Sequence, residues 1–141
     1  MDCSSRRIVG YSIDSRMKSS LAVNALRHAV NAREPVNTIV HSDRGSQFRS
    51  KDFTSELTKN GLRGSMGRVG AAGDNAAMES FFALLQKNVL NRQRWETRED
   101  LRLEIVYWIK ATYHRRRRKA ALGKLTPIEF ERIQELAATA A

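Results

Sequence analysis

Two carboxylates, Asp43 and Glu79, stand where this chain could support metal chemistry. Asp43 comes just after a short apolar stretch, Thr38 to Val40, that predicts a strand, and open α/β sheets bind ligands at the carboxyl ends of their strands. Glu79 lies 36 positions later, near the start of a predicted helix. If the fold brings both side chains together, they offer oxygen ligands suited to Mg²⁺ or Mn²⁺, which promote phosphoryl transfer by activating an attacking oxygen.

A structural interpretation of the same residues stays open, and residue type and spacing taken alone favour it. Asp43 begins an Asp-x-Gly sequence, whose carboxylate can accept backbone N–H bonds in a turn, and Glu79 suits the positive end of a helix. His41 alternates onto the strand face of Asp43, where an outer role at the site and a plain strand-end role are equally open. Serine-hydrolase and P-loop chemistry are excluded, since neither Gly-x-Ser-x-Gly nor Gly-Lys-Ser/Thr occurs.

The charge of the chain indicates a polyanionic partner. Lys and Arg number 25 against 15 Asp and Glu, which gives a formal net charge of +10. No acidic residue lies between Ile105 and Ile128, a stretch whose basic residues are Lys110, Arg115, Arg116, Arg117, Arg118, Lys119 and Lys124. Consecutive cations repel one another unless something neutralises them, so nucleic acid is the favoured partner. A solvated helix end is the alternative, and an anionic membrane is disfavoured because no apolar face accompanies the run.

Length and composition define a globular chain. With 141 residues, 41% hydrophobic and 28% charged, the sequence is one domain long and excludes wholesale disorder. It has neither an apolar window of about 18 residues nor the pattern of a signal peptide, so we expect a cytoplasmic protein with no membrane partner. The single Cys3 fits a reducing compartment and leaves any metal to oxygen or histidine ligands.

The elements that must position these residues alternate between strand and helix in the first half of the chain. β-branched and aromatic residues predict a strand over Arg7 to Ile13. A helix is predicted from residue 21 onward, with Ser19 or Ser20 as its cap and its end before Glu34-Pro35. The other predicted elements of this half are the strand at Thr38 to Val40, a helix over Asp52 to Asn60 closed by Gly61, and a strand at Leu62 to Met66.

Three helices are predicted in the second half, after a loop that we expect to be flexible because glycines stand at positions 64, 67, 70 and 73. Asp74 or Asn75 caps the first, Thr97 begins the second, and Thr126-Pro127-Ile128-Glu129 is a capping box for the third. Their predicted buried residues, helix by helix, are Met78, Phe81, Phe82 and Leu85; Leu101, Ile105, Trp108, Ile109 and Thr112; and Phe130 and Ile133. The order of elements predicts an α/β fold with a helical C-terminal extension.

Several long stretches of the sequence resemble, in the same order, the integrase-core transposases of insertion sequences, specifically the second-reading-frame product of the insertion-sequence-three type. They are SRRIVGYSIDSRM, HSDRGSQF, GLRGSMGRVGAAGDNAAMESFFALL, RWETRED to YHRRRRKAALG, and LTPIEFE. The resemblance implies a ribonuclease-H-like fold and an Asp, Asp, Glu triad that binds metal to cut and join DNA. Asp43 in HSDRG matches the second Asp of that triad, and Glu79 in DNAAMES matches the Glu, with 35 residues between them.

The same resemblance implies the partners and the division of the chain. Residues 1–95 are expected to be a partial catalytic core, and 96–141 a helical extension of it. Transposon ends and target DNA are the expected substrates, with Mg²⁺ or Mn²⁺ as cofactor. The basic segment Lys110 to Lys124 is expected to follow the DNA backbone, with Arg115 to Lys119 as its DNA-binding residues, and Lys87 either contacts a phosphate or faces solvent. A helix-turn-helix protein from an upstream reading frame and a homo-oligomer are further partners to expect.

One departure from the family pattern limits what we expect of this chain. The first catalytic Asp of the family lies in a Trp-x-x-Asp-hydrophobic-Thr context that does not occur here, and Asp2 does not match it. We therefore expect a core that lacks its first two strands, has unpaired strand edges and cannot transfer strands alone. The rival hypothesis is a non-catalytic nucleic-acid-binding protein, in which the basic C-terminal helices function and the carboxylates are structural.

Overall fold

The computed structural model of the chain describes residues 1–16, 18–67 and 75–140. These residues form two compact units, one over Val9–Ala76 and one that combines Met1–Ile8 with Ala77–Ala141. We call the first the strand unit and the second the aromatic unit. The predicted division into a core over 1–95 and an extension over 96–141 stays a prediction.

The strand unit consists of α1 (Ser19–Arg33), β1 (Ile39–Ser42), a 3₁₀ turn (Ser46–Arg49), α2 (Lys51–Lys59) and β2 (Arg63–Met66). The two strands are parallel, with Ile39 opposite Arg63 and Ser42 opposite Met66. The core of the strand unit is a cluster of buried apolar side chains, which are Val23, Leu26, Phe53, Leu57 and Leu62. Parallel pairing places the carboxyl ends of both strands at the same edge of the sheet.

Local sequence explains most boundaries of the strand unit. The predicted helices and the strands after Thr38 and Leu62 are confirmed within a few residues. The hydroxyl of Ser50 accepts the Phe53 N–H at 3.3 Å and so caps α2, and Gly61 follows the helix with a φ of 63°. The predicted cap of α1 is wrong, because Ser19 is already helical and the cap residue, Lys18, makes no side-chain hydrogen bond.

The predicted strand at Arg7 to Ile13 is also wrong, since the segment forms no strand within the described residues. A strand requires a neighbouring backbone to pair with. Here histidine side chains take the place of a partner strand. In the aromatic unit, the Ile8 N–H donates to Nε2 of His114 at 3.1 Å. In the strand unit, Nδ1 of His28 lies 3.1 Å from the Tyr11 carbonyl oxygen.

Gly10 lets the segment lie on α1, because a Cβ there would stand 2.4 Å from the carbonyl oxygen of Ala25.

The aromatic unit consists mainly of three helices. These are α3 (Ala76–Leu85), extended by a π-helical turn (Gln86–Leu90); α4 (Arg98–Tyr107), extended by a π-helical turn (Trp108–Tyr113); and α5 (Pro127–Ala140), which follows a 3₁₀ turn (Ala120–Leu122). The predicted starts at Thr97 and Thr126 are confirmed. The hydroxyl of Thr97 accepts the Asp100 N–H at 3.1 Å, which caps α4.

Three aromatic rings form the centre of this unit. Tyr113 is completely buried, and its ring centroid lies 5.0 Å from that of Phe81 and 5.6 Å from that of Trp108. Such edge-on and tilted contacts add to the free energy gained from burial. The Tyr113 hydroxyl donates to the Arg6 carbonyl oxygen at 3.2 Å, so the ring cluster also holds the N-terminal residues of the unit.

Two predicted core residues of the aromatic unit are exposed instead. Phe81 and Leu85 are buried, whereas Phe82 is 57% exposed because it lies about a quarter turn away from Phe81 on the helix. Ile133 is 53% exposed, since burial of α5 is strongest at its start, around Pro127. The Asp74 alternative for the cap of α3 and most of the glycine-rich loop lie in 68–74, outside the described residues.

A search of the described residues for a helix long and apolar enough to cross a membrane finds none.

The cap of α5 gives a direct test of this part of the fold. The hydroxyl of Thr126 accepts the Glu129 N–H at 3.3 Å, and the Glu129 carboxylate accepts the Thr126 N–H at 2.9 Å. We expect Thr126→Ala to lower the free energy of unfolding by about 1–2 kcal/mol, measured by urea denaturation, because one donor of the first turn loses its acceptor. Thr139→Ala, on the exposed far end of the same helix, should change it by less than about 0.5 kcal/mol. Equal effects of the two changes would contradict the assignment.

Candidate metal and nucleic-acid site

The first candidate residue, Asp43, lies directly after β1 and is exposed. The backbone N–H of Gly45 donates to its Oδ1 at 2.7 Å, which is the Asp-x-Gly turn that the structural interpretation predicts. Its Oδ2 has no hydrogen bond to any described residue. The turn therefore fixes the direction of the carboxylate through one oxygen and leaves the other oxygen free for a ligand.

The absence of a side chain at Gly45 leaves room for the Asp43 carboxylate and the end of the Gln47 side chain beside the turn. A Cβ there would stand 2.8 Å from Oδ1 of Asp43 and 2.6 Å from Nε2 of Gln47, closer than real Cβ contacts. The Ser42 hydroxyl donates to the Asp43 carbonyl oxygen at 3.0 Å and holds the other side of the turn. Backbone and side-chain bonds thus pre-orient Asp43 before any ligand arrives.

The end of β2 joins the same turn. The Gly67 N–H donates to the Ser42 carbonyl oxygen at 3.2 Å, and Nε of Arg44 donates to the Gly67 carbonyl oxygen at 3.1 Å.

His41 precedes Ser42 on β1, and its Nδ1 lies 3.2 Å from the hydroxyl oxygen of Ser65 on the paired strand. That contact gives His41 a strand-pairing role on the exposed face.

The second candidate, Glu79, is exposed in the first turn of α3. It belongs to the aromatic unit, whereas Asp43 belongs to the strand unit. Each carboxylate is therefore placed within its own unit. Over the residues that the structure describes, no group of three or more His, Cys, Asp or Glu side chains could hold a metal ion. Lys87 is exposed in the π-helical turn after α3.

The basic run divides into exposed and internally bound members. Arg115, Arg116 and Arg117 are exposed, and within the described ranges their guanidinium groups form no ion pair. The guanidinium of Arg118 instead donates to the Lys124 carbonyl oxygen at 3.0 Å and to the Glu129 carboxylate at 3.4 Å. Arg115, Arg116 and Arg117 are therefore the members of the run that a polyanion can bind without breaking an ion pair among the described residues.

Lys119 is the half-buried member of the run. Its Nζ lies 4.4 Å from the centroid of the Tyr113 ring, a cation–π contact. Burial lowers the pKa of this ammonium, and the nearby charges of Arg117 and Arg6 lower it further. Burial likewise raises the pKa of the Tyr113 hydroxyl to about 12, so the phenol stays neutral beneath the lysine.

Polar contacts that the sequence does not predict hold the first residues of the aromatic unit. Glu131 on α5 accepts hydrogen bonds from the Ser5 hydroxyl at 2.8 Å and from the Arg7 guanidinium. His114 accepts the Ile8 N–H, although nothing in the sequence marks it as a hydrogen-bond partner of the N-terminal residues. More than 100 positions separate these partners, so no local pattern could have revealed them.

Comparison with known families identifies the class of protein. Residues 1–72 match the model of an integrase core domain, and residues 60–127 match a second integrase core domain model. The chain therefore belongs to the integrase core domain family, as the sequence motifs predict.

Two relatives that are similar in sequence to the chain are transposases of insertion sequences. The chain is 39% identical over 132 residues to the transposase InsF for insertion sequence IS3A of Escherichia coli (strain K12), an alignment that covers 93% of this chain and 46% of the relative. It is 37% identical over 133 residues to the transposase for insertion sequence element IS904 of Lactococcus lactis, with 94% and 53% covered. The resemblance to transposases of the insertion-sequence-three type is confirmed. The chain spans about half the length of the curated relatives it matches.

The fold has a counterpart among solved structures. A chain in the cryo-EM structure of a simian T-cell lymphotropic virus intasome, in complex with the PP2A regulatory subunit B56 gamma, superposes with a TM-score of 0.62. Sequence identity is 17%, and the match covers 83% of this chain and 41% of that one. The predicted ribonuclease-H-like α/β integrase core is confirmed, with a small parallel sheet and several helices in the described part.

The ion pair beside the basic run predicts a pH dependence. Hydrogen bonding from the Thr126 backbone, followed by the charge of Arg118, lowers the pKa of Glu129 below its usual 4.5. A lowered folded-state pKa stabilises the fold above the unfolded pKa, and this contribution is lost as pH falls through the folded pKa. Above pH 4.5, the free energy of unfolding of the wild type should therefore exceed that of Glu129→Gln by a constant amount. The difference should shrink as the pH falls below 4.5.

Urea denaturation at a series of pH values measures this difference. The glutamine can still accept the Thr126 N–H, so the comparison isolates the charge. In an Arg118→Ala background the decrease on acidification should be smaller, since one source of the lowered pKa is gone. A difference that does not change with pH would contradict the prediction.

Proposed function

We propose that this chain is part of the catalytic core of a transposase that cuts and joins DNA by metal-dependent phosphoryl transfer. The observation that carries the proposal is the Asp43 turn in a member of the integrase core family. Its carboxylate stands at the joined carboxyl ends of two parallel strands, with Oδ1 fixed by Gly45 N–H and Oδ2 free. This is where an α/β sheet presents a ligand.

The donor set fits a hard divalent ion. Asp43 and Glu79 are both exposed carboxylates, and carboxylate oxygens suit Mg²⁺ or Mn²⁺. From their match to the family's triad, Asp43 and Glu79 are the proposed metal ligands, Asp43 through the oxygen that its turn leaves free. When bound, such an ion stabilises charge on phosphate oxygens and makes a bound water or hydroxyl a better nucleophile. The protein's own contribution is to orient the Asp43 carboxylate in advance.

The basic residues supply affinity for DNA. Arg115 to Arg117 are proposed to contact phosphates, together with Lys87, because all four are exposed. Arg118 and Lys119 contribute the N–H donors that their internal contacts leave over. Transposon ends and target DNA are the proposed substrates, and a helix-turn-helix protein and a second copy of the chain are the proposed partners.

We further propose that strand joining requires a third carboxylate. Two carboxylates leave a metal pair with too few ligands, and only Asp43 and Glu79 match the family's triad in this sequence. A purified preparation of this chain that joined a donor end to target DNA in Mg²⁺ would overturn the requirement.

Carboxylate variants test the metal site. We expect Asp43→Asn and Glu79→Gln each to weaken Mn²⁺ binding, followed by electron paramagnetic resonance, by at least the roughly tenfold that loss of a supporting ligand costs. Asp52→Asn is the matched control, since it removes an exposed carboxylate from the first turn of α2. If neither site variant differs from the control while DNA binding persists, the rival non-catalytic hypothesis is correct.

An arginine variant tests the nucleic-acid surface. Replacing Arg115, Arg116 and Arg117 by Ala should weaken binding to duplex DNA, and the slope of log affinity against log salt should flatten by about 0.9 for each phosphate that the variant no longer binds. Fluorescence anisotropy over a salt series measures both quantities. The control replaces three other exposed arginines of the aromatic unit, Arg92, Arg94 and Arg98. Equal decreases in the two triple variants would show that only net charge matters and would overturn the assignment.

A further inference from the structure

Arg44 is held in a defined orientation beside the Asp43 turn. Its Nε donates to the carbonyl oxygen of Gly67, which follows β2, and the Gly67 N–H donates to the carbonyl oxygen of Ser42, the last residue of β1. The guanidinium group is therefore pinned across the carboxyl ends of both strands. Asp43, the residue before it, presents its carboxylate at the same edge.

The pinned guanidinium keeps most of its donors. An arginine has five N–H donors, and the bond to Gly67 uses only the one on Nε. Arg44 is exposed, and among the described residues its Nη1 and Nη2 have no hydrogen bond or ion pair. Oδ1 of Asp43 accepts a hydrogen bond from the Gly45 N–H rather than from Arg44. Opposite charges on adjacent residues thus remain separate, one for a cation and one for an anion.

We infer that Arg44 binds the DNA phosphate group that lies next to the ion held by Asp43. The inference rests on the proposed function and adds a phosphate-binding residue to it. A guanidinium with free Nη1 and Nη2 donors matches two phosphate oxygens at once. Because its Nε is already fixed, little side-chain freedom is given up on binding, so the contact can orient the phosphate as well as attract it.

A purely structural role for Arg44, which ties the two strand ends together, is the alternative that the experiment must separate. Arg44→Gln removes the charge while its amide can still donate to the Gly67 carbonyl oxygen. Arg63→Gln is the matched control, because Arg63 is an exposed arginine on the same sheet, opposite Ile39 at the amino ends of the strands. Thermal unfolding of both variants checks that the strand unit is retained.

Binding to a short DNA duplex in Ca²⁺ is measured over a salt series. Arg44→Gln should lower the affinity by about tenfold and flatten the salt slope by about 0.9, the change expected when one phosphate is no longer bound. Arg44→Lys keeps the charge without the fork, so it should restore the slope but only part of the affinity. Arg63→Gln should leave both quantities close to those of wild type.

Single neutral phosphates then locate the contact. The duplex is made with one methylphosphonate at a time, and at the phosphate that Arg44 binds, this change should weaken wild type while leaving Arg44→Gln unaffected. The inference is overturned if Arg44→Gln behaves like Arg63→Gln, or if every methylphosphonate weakens wild type and Arg44→Gln equally. If Asp43→Asn still loses Mn²⁺ while Arg44→Gln is silent, only this inference fails. If wild type binds no DNA at all, the proposed function fails with it.

Discussion

The aromatic unit depends on the burial of Tyr113. Its ring contacts Phe81 and Trp108, its hydroxyl holds the Arg6 carbonyl oxygen, and its face supports the Lys119 ammonium. A single side chain therefore joins two helices, the N-terminal residues and the basic run. Because Tyr113 is the last residue of its π-helical turn, the exposed arginines that follow at 115 to 117 leave the helix from a fixed point.

Charge in this molecule is divided between internal bonds and free surface. Arg27 pairs with Glu56 between α1 and α2, and Arg118 pairs with Glu129, so both guanidinium groups form contacts within the fold. Such exposed pairs stabilise a protein only weakly, yet they determine which cations remain free. Arg44 shows the same division within one side chain, since Nε is bound and the terminal nitrogens are open. The net charge of +10 alone could not have told these groups apart.

Sequence predicted the parts of this structure that local chemistry determines. The capping residues Thr97 and Thr126 and the Asp-x-Gly turn at Asp43 depend on contacts within three positions, so local sequence patterns indicate all three. The strand predicted at Arg7 to Ile13 failed because a strand needs a distant partner that the described residues do not provide. The bonds from Ser5 to Glu131 and from Ile8 to His114 join residues more than 100 positions apart, so no local pattern encodes them. For the site, sequence selected Asp43, whereas the pinned Arg44 emerged only from the three-dimensional contact with Gly67.

The π-helical turn at Trp108–Tyr113 determines the rotational position of the basic run about the helix axis. The His114 N–H donates to the Ile109 carbonyl oxygen, five residues back, and the Arg117 N–H donates to that of Thr112 in the same way. This wider turn lets Trp108 and Tyr113 share the buried side although they are five positions apart. Removing one residue here would restore α-helical spacing and rotate everything downstream by roughly a quarter of a turn. The insertion or deletion of a single codon could thus redirect the arginines of a descendant protein without altering any of their identities.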